Sequence, residues 1–171
     1  MMKARGFTLT ELLITLAVVA ALAGVAYPVG RSLLAKSREA ACHGQLRGLG
    51  VGLQGYLQDH QQTLPDLEVA RSSRDPDVQV LETVLLPYVG SPEAFKCPQD
   101  RGEYLKSGSS YAWNSTQSGR RTAQLEFFGI DESRSQQIPL IVDKEAWHPS
   151  GTNILYADMT SANQLRFTAG N

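Results

Sequence analysis

The chain has 171 residues, a formal net charge of −1, 42% hydrophobic residues and 19% charged ones. That is room for one modest domain plus a specialised segment, and the near-zero charge excludes the global basic field of a nucleic-acid-binding protein. The distribution is uneven: no side chain from 12 to 30 is charged.

In helical form those residues reach roughly 28 Å, close to the hydrocarbon thickness of a bilayer. Lys3 and Arg5 precede them, and the positive-inside rule keeps this end cytoplasmic with the remainder across the membrane. A secretory signal peptide, a signal anchor and a more specialised segment all share these features. Ala21-Leu22-Ala23 offers a small-x-small cleavage site, whereas Phe7-Thr8-Leu9-Thr10-Glu11 is foreign to the start of an ordinary signal core. Glu11 is the exception that needs an account, because a carboxylate opens a membrane-length apolar run.

Residues 7–59 read as one long helix. Pro28 removes one backbone hydrogen bond and is expected to kink it without ending it. From Arg31 the pattern turns amphipathic, with Leu34, Cys42, Leu46, Leu49, Leu53, Tyr56 and Leu57 on the apolar side. A continuous helix of this length spans about 80 Å, too long for a compact core, so its first half belongs in lipid or among copies of itself. Gly44, Gly48, Gly50, Gly52 and Gly55 each cost such a helix about 1 kcal/mol relative to alanine. Close packing of the helix on a sheet is the expected compensation.

Residues 60–78 read as a loop. A short helix follows over 78–86, with Asp77 as its N-cap and Pro87 just past its end. Ser91-Pro92-Glu93 caps one more turn. Residues 97–108 read as loop. Strands are expected at 110–114, 124–128, 139–144, 153–158 and 164–167, with His148-Pro149-Ser150-Gly151 and residues 158–163 as turns. The fold class is therefore α+β, a long helix on a small antiparallel sheet. Trp113 and Trp147 lack a basic cluster and read as core or rim aromatics, so no nucleic-acid partner is expected. For Cys42 and Cys97, a disulfide tying the helix to the Cys97-Pro98-Gln99-Asp100 loop and a pair of buried free thiols both stay open; an extracytoplasmic domain permits the first.

Gly6-Phe7-Thr8-Leu9-Thr10-Glu11, after a short basic leader and before an apolar helix, resembles the processing site of type IV prepilins and type II secretion pseudopilins. Pro28 fits too: it is the twenty-second residue after a cut behind Gly6, where that family commonly has proline. The resemblance implies a leader at 1–6, a membrane and filament-core half-helix at 7–30, and a periplasmic pilin-like domain at 31–171. It implies cleavage between Gly6 and Phe7 by prepilin peptidase and methylation of the new Phe7 amine. It further implies a role for Glu11 in assembly, facing the Phe7 amine of a neighbouring subunit in the dry core of a filament. The implied partners are other pseudopilins and itself, an inner-membrane assembly platform and its ATPase. The implied function is a periplasmic pseudopilus for protein export, with no enzymatic activity.

The likeness continues beyond the helix. Residues 37–65 resemble a Cys-x-x-Asn-Leu segment of a pseudopilin-like subgroup, with Gln45 in place of the Asn. Residues 95–100 and 109–114 resemble its middle region. The stretch from Trp147 to Met159 resembles a His-x9-Asp-Gly element, with His148 and Asp158 in place and Met159 where Gly is expected. Met disfavours the positive φ that Gly permits, so the turn's conformation is open here. His148 and Asp158 read as turn hydrogen-bonders more than as an acid–base pair, since no nucleophile pattern accompanies them. The Asp-Pro-Trp-Gly-like signature of calcium-binding major pseudopilins is missing. Asp143, Glu145 and Asp158 would have to converge to hold calcium, so no cofactor or metal is expected. Two alternatives stay beside this reading: a type IV pilus pilin for adhesion, motility or DNA uptake, and a membrane-anchored extracytoplasmic enzyme using His148.

Overall fold

A computed structural model describes residues 8–74 and 77–166. The chain divides after Ser37 into two compact units. Helix α1, Leu9–Asp59, runs from the first into the second, with Pro28 inside it. In the first unit the large apolar side chains of α1, among them Leu12, Leu16, Val19, Leu22 and Val25, are all exposed. Water does not tolerate such a surface on a stable monomer, so another apolar phase is needed to cover it. Arg31 lies over the Tyr27 ring, 5.8 Å from its centroid, at the point where the uncharged run ends. That pairing suits a membrane–water boundary.

The second unit carries the core. From α1 it takes the stripe Cys42, Leu46, Leu49, Leu53 and Leu57, each nearly or fully buried at helical spacing. Four antiparallel strands complete it in the order β1-β4-β5-β6: β1 Tyr111–Trp113, β4 Pro139–Asp143, β5 Ile154–Tyr156 and β6 Ser161–Ala162. Trp113 and Trp147 are both buried, and each indole N–H has an acceptor: Ser118 Oγ at 3.0 Å for the first, Glu145 Oε2 at 3.0 Å for the second. The α+β class expected from the sequence is the one observed.

Several elements differ from the sequence reading. The second helix, α2, spans Leu81–Val89 and not 78–86. Asp77 lies too early to cap it. The Thr83 hydroxyl instead accepts from the Val80 N–H at 3.0 Å, half of a capping box. Pro87 sits inside the last turn, and Gly90 at φ 75° ends the helix, donating to the Leu86 carbonyl at 2.9 Å. The stretch 97–108 contains a short helix, α3, Glu103–Ser107. The strand expected at 124–128 shrinks to β2, Glu126–Phe127, and pairs outside the main sheet with β3, Ile130–Asp131.

The strand expected at 164–167 does not form among the described residues; β6 occupies 161–162, inside the presumed turn. The reason is Met159. It adopts φ 62°, the left-handed conformation that glycine would supply, and closes a tight turn after β5. Tyr156 N–H donates to the Thr160 carbonyl at 2.9 Å, and Asp158 Oδ1 accepts from Thr160 N–H at 3.0 Å. The next strand therefore starts at once.

The helix glycines divide. A Cβ on Gly50 would touch Leu155 of β5, which is packing against the sheet as expected. Gly52 and Gly55 instead admit α2: a Cβ on Gly52 would overlap Val89 Cγ1, and one on Gly55 would press on the Tyr88 ring. A Cβ on Gly44 or Gly48 would meet nothing within 4 Å among the described residues, so no contact there offsets their helical cost.

Candidate functional site

Glu11 sits in the first turn of α1, and its partners are local. Its Oε2 accepts from the Thr8 N–H at 2.9 Å and from the Thr8 hydroxyl at 2.8 Å. The Thr8 Oγ1 accepts from the Glu11 N–H at 3.3 Å. Thr8 is thus the N-cap and Glu11 the third helical residue, the reciprocal arrangement of a capping box. The sequence reading gave Glu11 only an intermolecular role, although Thr-x-x-Glu before an apolar run is a legible capping signal. A carboxylate here also complements the positive end of the helix dipole. Gly6 and Phe7, assigned to cleavage and methylation, lie outside the described residues.

A second constellation lies within the core. Cys42 on α1 and Cys97, before α3, form a disulfide, with Cα atoms 5.2 Å apart and a sequence separation of 55. His148 packs on it: Nε2 lies 3.4 Å from Cys97 Sγ and 3.3 Å from Asp143 Oδ2. Asp143 ends β4, and its Oδ2 also accepts from the Asn153 N–H at 2.7 Å. Both side chains of the His148–Asp143 pair are wholly buried. Burial pushes the Asp143 carboxyl up to about 7; the Asn153 N–H pulls it down and the Glu39 charge raises it. Burial lowers the His148 imidazole, against the attraction of Glu39. Burial thus disfavours the charged form of both groups in this contact.

The partner of His148 is thus Asp143, which the spacing to Asp158 had concealed. Asp158 is exposed, holds its own turn through Thr160, and faces Arg166 at 3.9 Å. Glu145 accepts from the Trp147 indole. The three acids considered for calcium are therefore engaged with three different sets of partners. No signal in the sequence paired Asp143 with His148, because that approach depends on how the turn between β4 and β5 folds.

The segment between Cys97 and β1 is organised by Asp100. Its Oδ1 accepts from the N–H groups of Gly102 and Glu103, at 2.7 and 2.8 Å, and its Oδ2 from that of Tyr104 at 2.7 Å and from the Ser110 hydroxyl. Ser110 Oγ in turn accepts from the Cys97 N–H at 2.9 Å. Burial raises the Asp100 pKa, but the Ser110 hydroxyl and the three backbone N–H groups outweigh it and hold the carboxyl below the usual range. Its contribution to stability is therefore complete above the unfolded carboxylate pKa of about 4 and disappears as pH falls through the lower folded value. Asp100→Asn is expected to cost about 1–2 kcal/mol at pH 7, at the low end because the carboxylate is partly solvated. Urea titrations at several pH values check this: the gap between wild type and variant narrows below about pH 4.

With this geometry in place, comparison with known proteins adds one match. Residues 1–27 fit the family model of the prokaryotic N-terminal methylation motif. That motif is characteristic of type IV pilin-like proteins and pseudopilins, and the long N-terminal helix accompanies it. The match covers the N-terminal segment alone, and there it supports a pilin-like methylation motif, one that implies processing by prepilin peptidase in proteins that carry it. No curated protein and no solved structure matches the chain.

Proposed function

We propose that the chain is a pseudopilin of a type II secretion system. It is made as a single-pass inner-membrane precursor with its domain in the periplasm, cut after Gly6, methylated on Phe7, and polymerised through α1 into a periplasmic pseudopilus. The observation that carries the reading is the methylation motif at 1–27, continued by an α1 whose first-unit apolar side chains are exposed. α1 is long and apolar enough to cross a bilayer. A helix that leaves lipid for a filament needs this apolar surface in both settings, because each phase covers the same side chains. The disulfide accords with an oxidising compartment such as the periplasm.

The function is mechanical: subunits add at the base and displace folded cargo, with no chemistry performed on it. Prepilin peptidase, other pseudopilins, and an assembly platform with its ATPase are the partners this requires. Deletion of the gene tests the reading. The expected result is exported protein accumulating in the periplasm while surface filaments persist. Loss of surface filaments or of DNA uptake, with export intact, would assign the chain to a type IV pilus.

A further inference from the structure

The disulfide has neighbours that a disulfide does not need. A buried sulfur–sulfur bond asks only for an apolar surround, yet His148 reaches it and Asp143 stands behind His148, both side chains removed from water. His148 Nδ1, Asp143 Oδ1 and both amide atoms of Asn153 are buried without a hydrogen-bond partner among the described residues. Burying polar groups in this way is unfavourable, and such groups call for an explanation.

The atom that faces the sulfurs is a different one, His148 Nε2. One ligand atom each from Cys42, Cys97 and His148 lies within 4.8 Å of the others. A tetrahedral zinc ion, with bonds of about 2.3 Å to sulfur and 2.0–2.2 Å to nitrogen and oxygen, sets its nitrogen and sulfur ligands about 3.5 Å apart and its nitrogen and oxygen ligands about 3.4 Å apart. The corresponding separations here are 3.4 Å for His148 Nε2 to Cys97 Sγ and 3.3 Å for Nε2 to Asp143 Oδ2. The sulfurs must separate to about 3.8 Å when their bond is broken, and the Asp143 carboxylate lies outside the trio of ligand atoms.

We propose that the chain with its thiols reduced binds one zinc ion through Cys42 Sγ, Cys97 Sγ and His148 Nε2. Disulfide formation and zinc binding then exclude one another, since they use the same sulfurs. A dithiol reductant takes the disulfide to two thiols and is itself oxidised to a disulfide. Zinc replaces the two thiol protons, which pass to solvent. Three protein ligands in a buried site leave the fourth position to a water, or to the Asp143 carboxylate after a shift toward the metal. Either crosslink ties α1 to the segment before α3, so the domain keeps its anchor whichever state the cysteines are in. The inference does not depend on which filament the chain joins.

The test uses the full chain in detergent, reduced with a phosphine, exposed to zinc chloride and desalted. Metal analysis is expected to give one zinc per reduced chain and none per oxidised chain. Cobalt in place of zinc is expected to give thiolate-to-cobalt charge-transfer bands together with tetrahedral ligand-field bands. Against a chromophoric chelator, His148→Ala is expected to lower zinc affinity by at least about tenfold. A reduced chain that retains no zinc would overturn the proposal. So would a His148→Ala chain that binds zinc as tightly as wild type, because the cysteines alone would then account for the metal, as in an unfolded chain. If reduction loosens the domain, recovery of near-ultraviolet circular dichroism on adding zinc supports the proposal, and failure to recover counts against it.

Discussion

Replacing both cysteines, Cys42→Ala with Cys97→Ala, is expected to lower the stability of the domain by about 4 kcal/mol. The bond closes a loop spanning 55 residues, and the chain-entropy relation gives that value for a loop of this size. Small domains are stable by about 5–15 kcal/mol, so the loss is a large share of the whole. The position of the bond adds to its weight. Cys42 begins the buried stripe of α1, and Cys97 opens the segment whose fold depends on Asp100 and Ser110. Without the bond, the first turns of that stripe are held by packing alone. Urea unfolding of the full chain, followed by the fluorescence of Trp113 and Trp147 with a chelator present, reads the difference. The double variant is the right comparison, since a single one leaves a free thiol. A loss below about 1 kcal/mol would show that the anchor is redundant.

The second large effect concerns Glu11. Glu11→Gln is expected to insert into the membrane normally and to enter filaments about a hundredfold less efficiently, or worse. The choice of glutamine follows from the capping box. Glutamine at this position preserves the bond back to the Thr8 N–H, so the helix start stays intact, while the negative charge is lost. In the proposed filament that charge faces the Phe7 amine of a neighbour in a dry core, and a buried charge left without its partner costs about 3–5 kcal/mol. Glu11→Ala removes both roles and cannot separate them. Counting wild-type and variant chains in sheared filaments makes the distinction. Equal incorporation of Glu11→Gln would mean that Glu11 only caps the helix.

Much of this architecture was legible because its signals are local. The uncharged run from 12 to 30 and the spacing of Cys42, Leu46, Leu49, Leu53 and Leu57 give the long helix and its buried side directly. The strands at β1, β4 and β5 follow from short apolar runs between turn signals. What failed depended on backbone conformations that composition does not announce. Met159 takes a left-handed conformation normally left to glycine, so the last hairpin is shorter than it reads and β6 arrives early. Pro87 is tolerated in the last turn of α2, where glycine at 90, not proline, sets the end. The glycines of α1 signalled close approach correctly, but Gly52 and Gly55 meet another helix, which spacing alone cannot distinguish from a sheet.

The site was less legible than the fold. His148 was singled out for its distance in sequence from Asp158, yet its partners are Asp143 and Cys97, brought from elsewhere by the sheet and the disulfide. Glu11 was recognised through its intermolecular part. Its bond to Thr8 was equally available from the sequence and went unread.

The central claim is that the N-terminus is processed before assembly. The intact mass of the mature chain, purified from the envelope of its own host, tests it most directly. The account predicts loss of residues 1–6 and one added methyl group on Phe7. A chain retaining Met1 together with its leader, or one cut near Ala23, would contradict it.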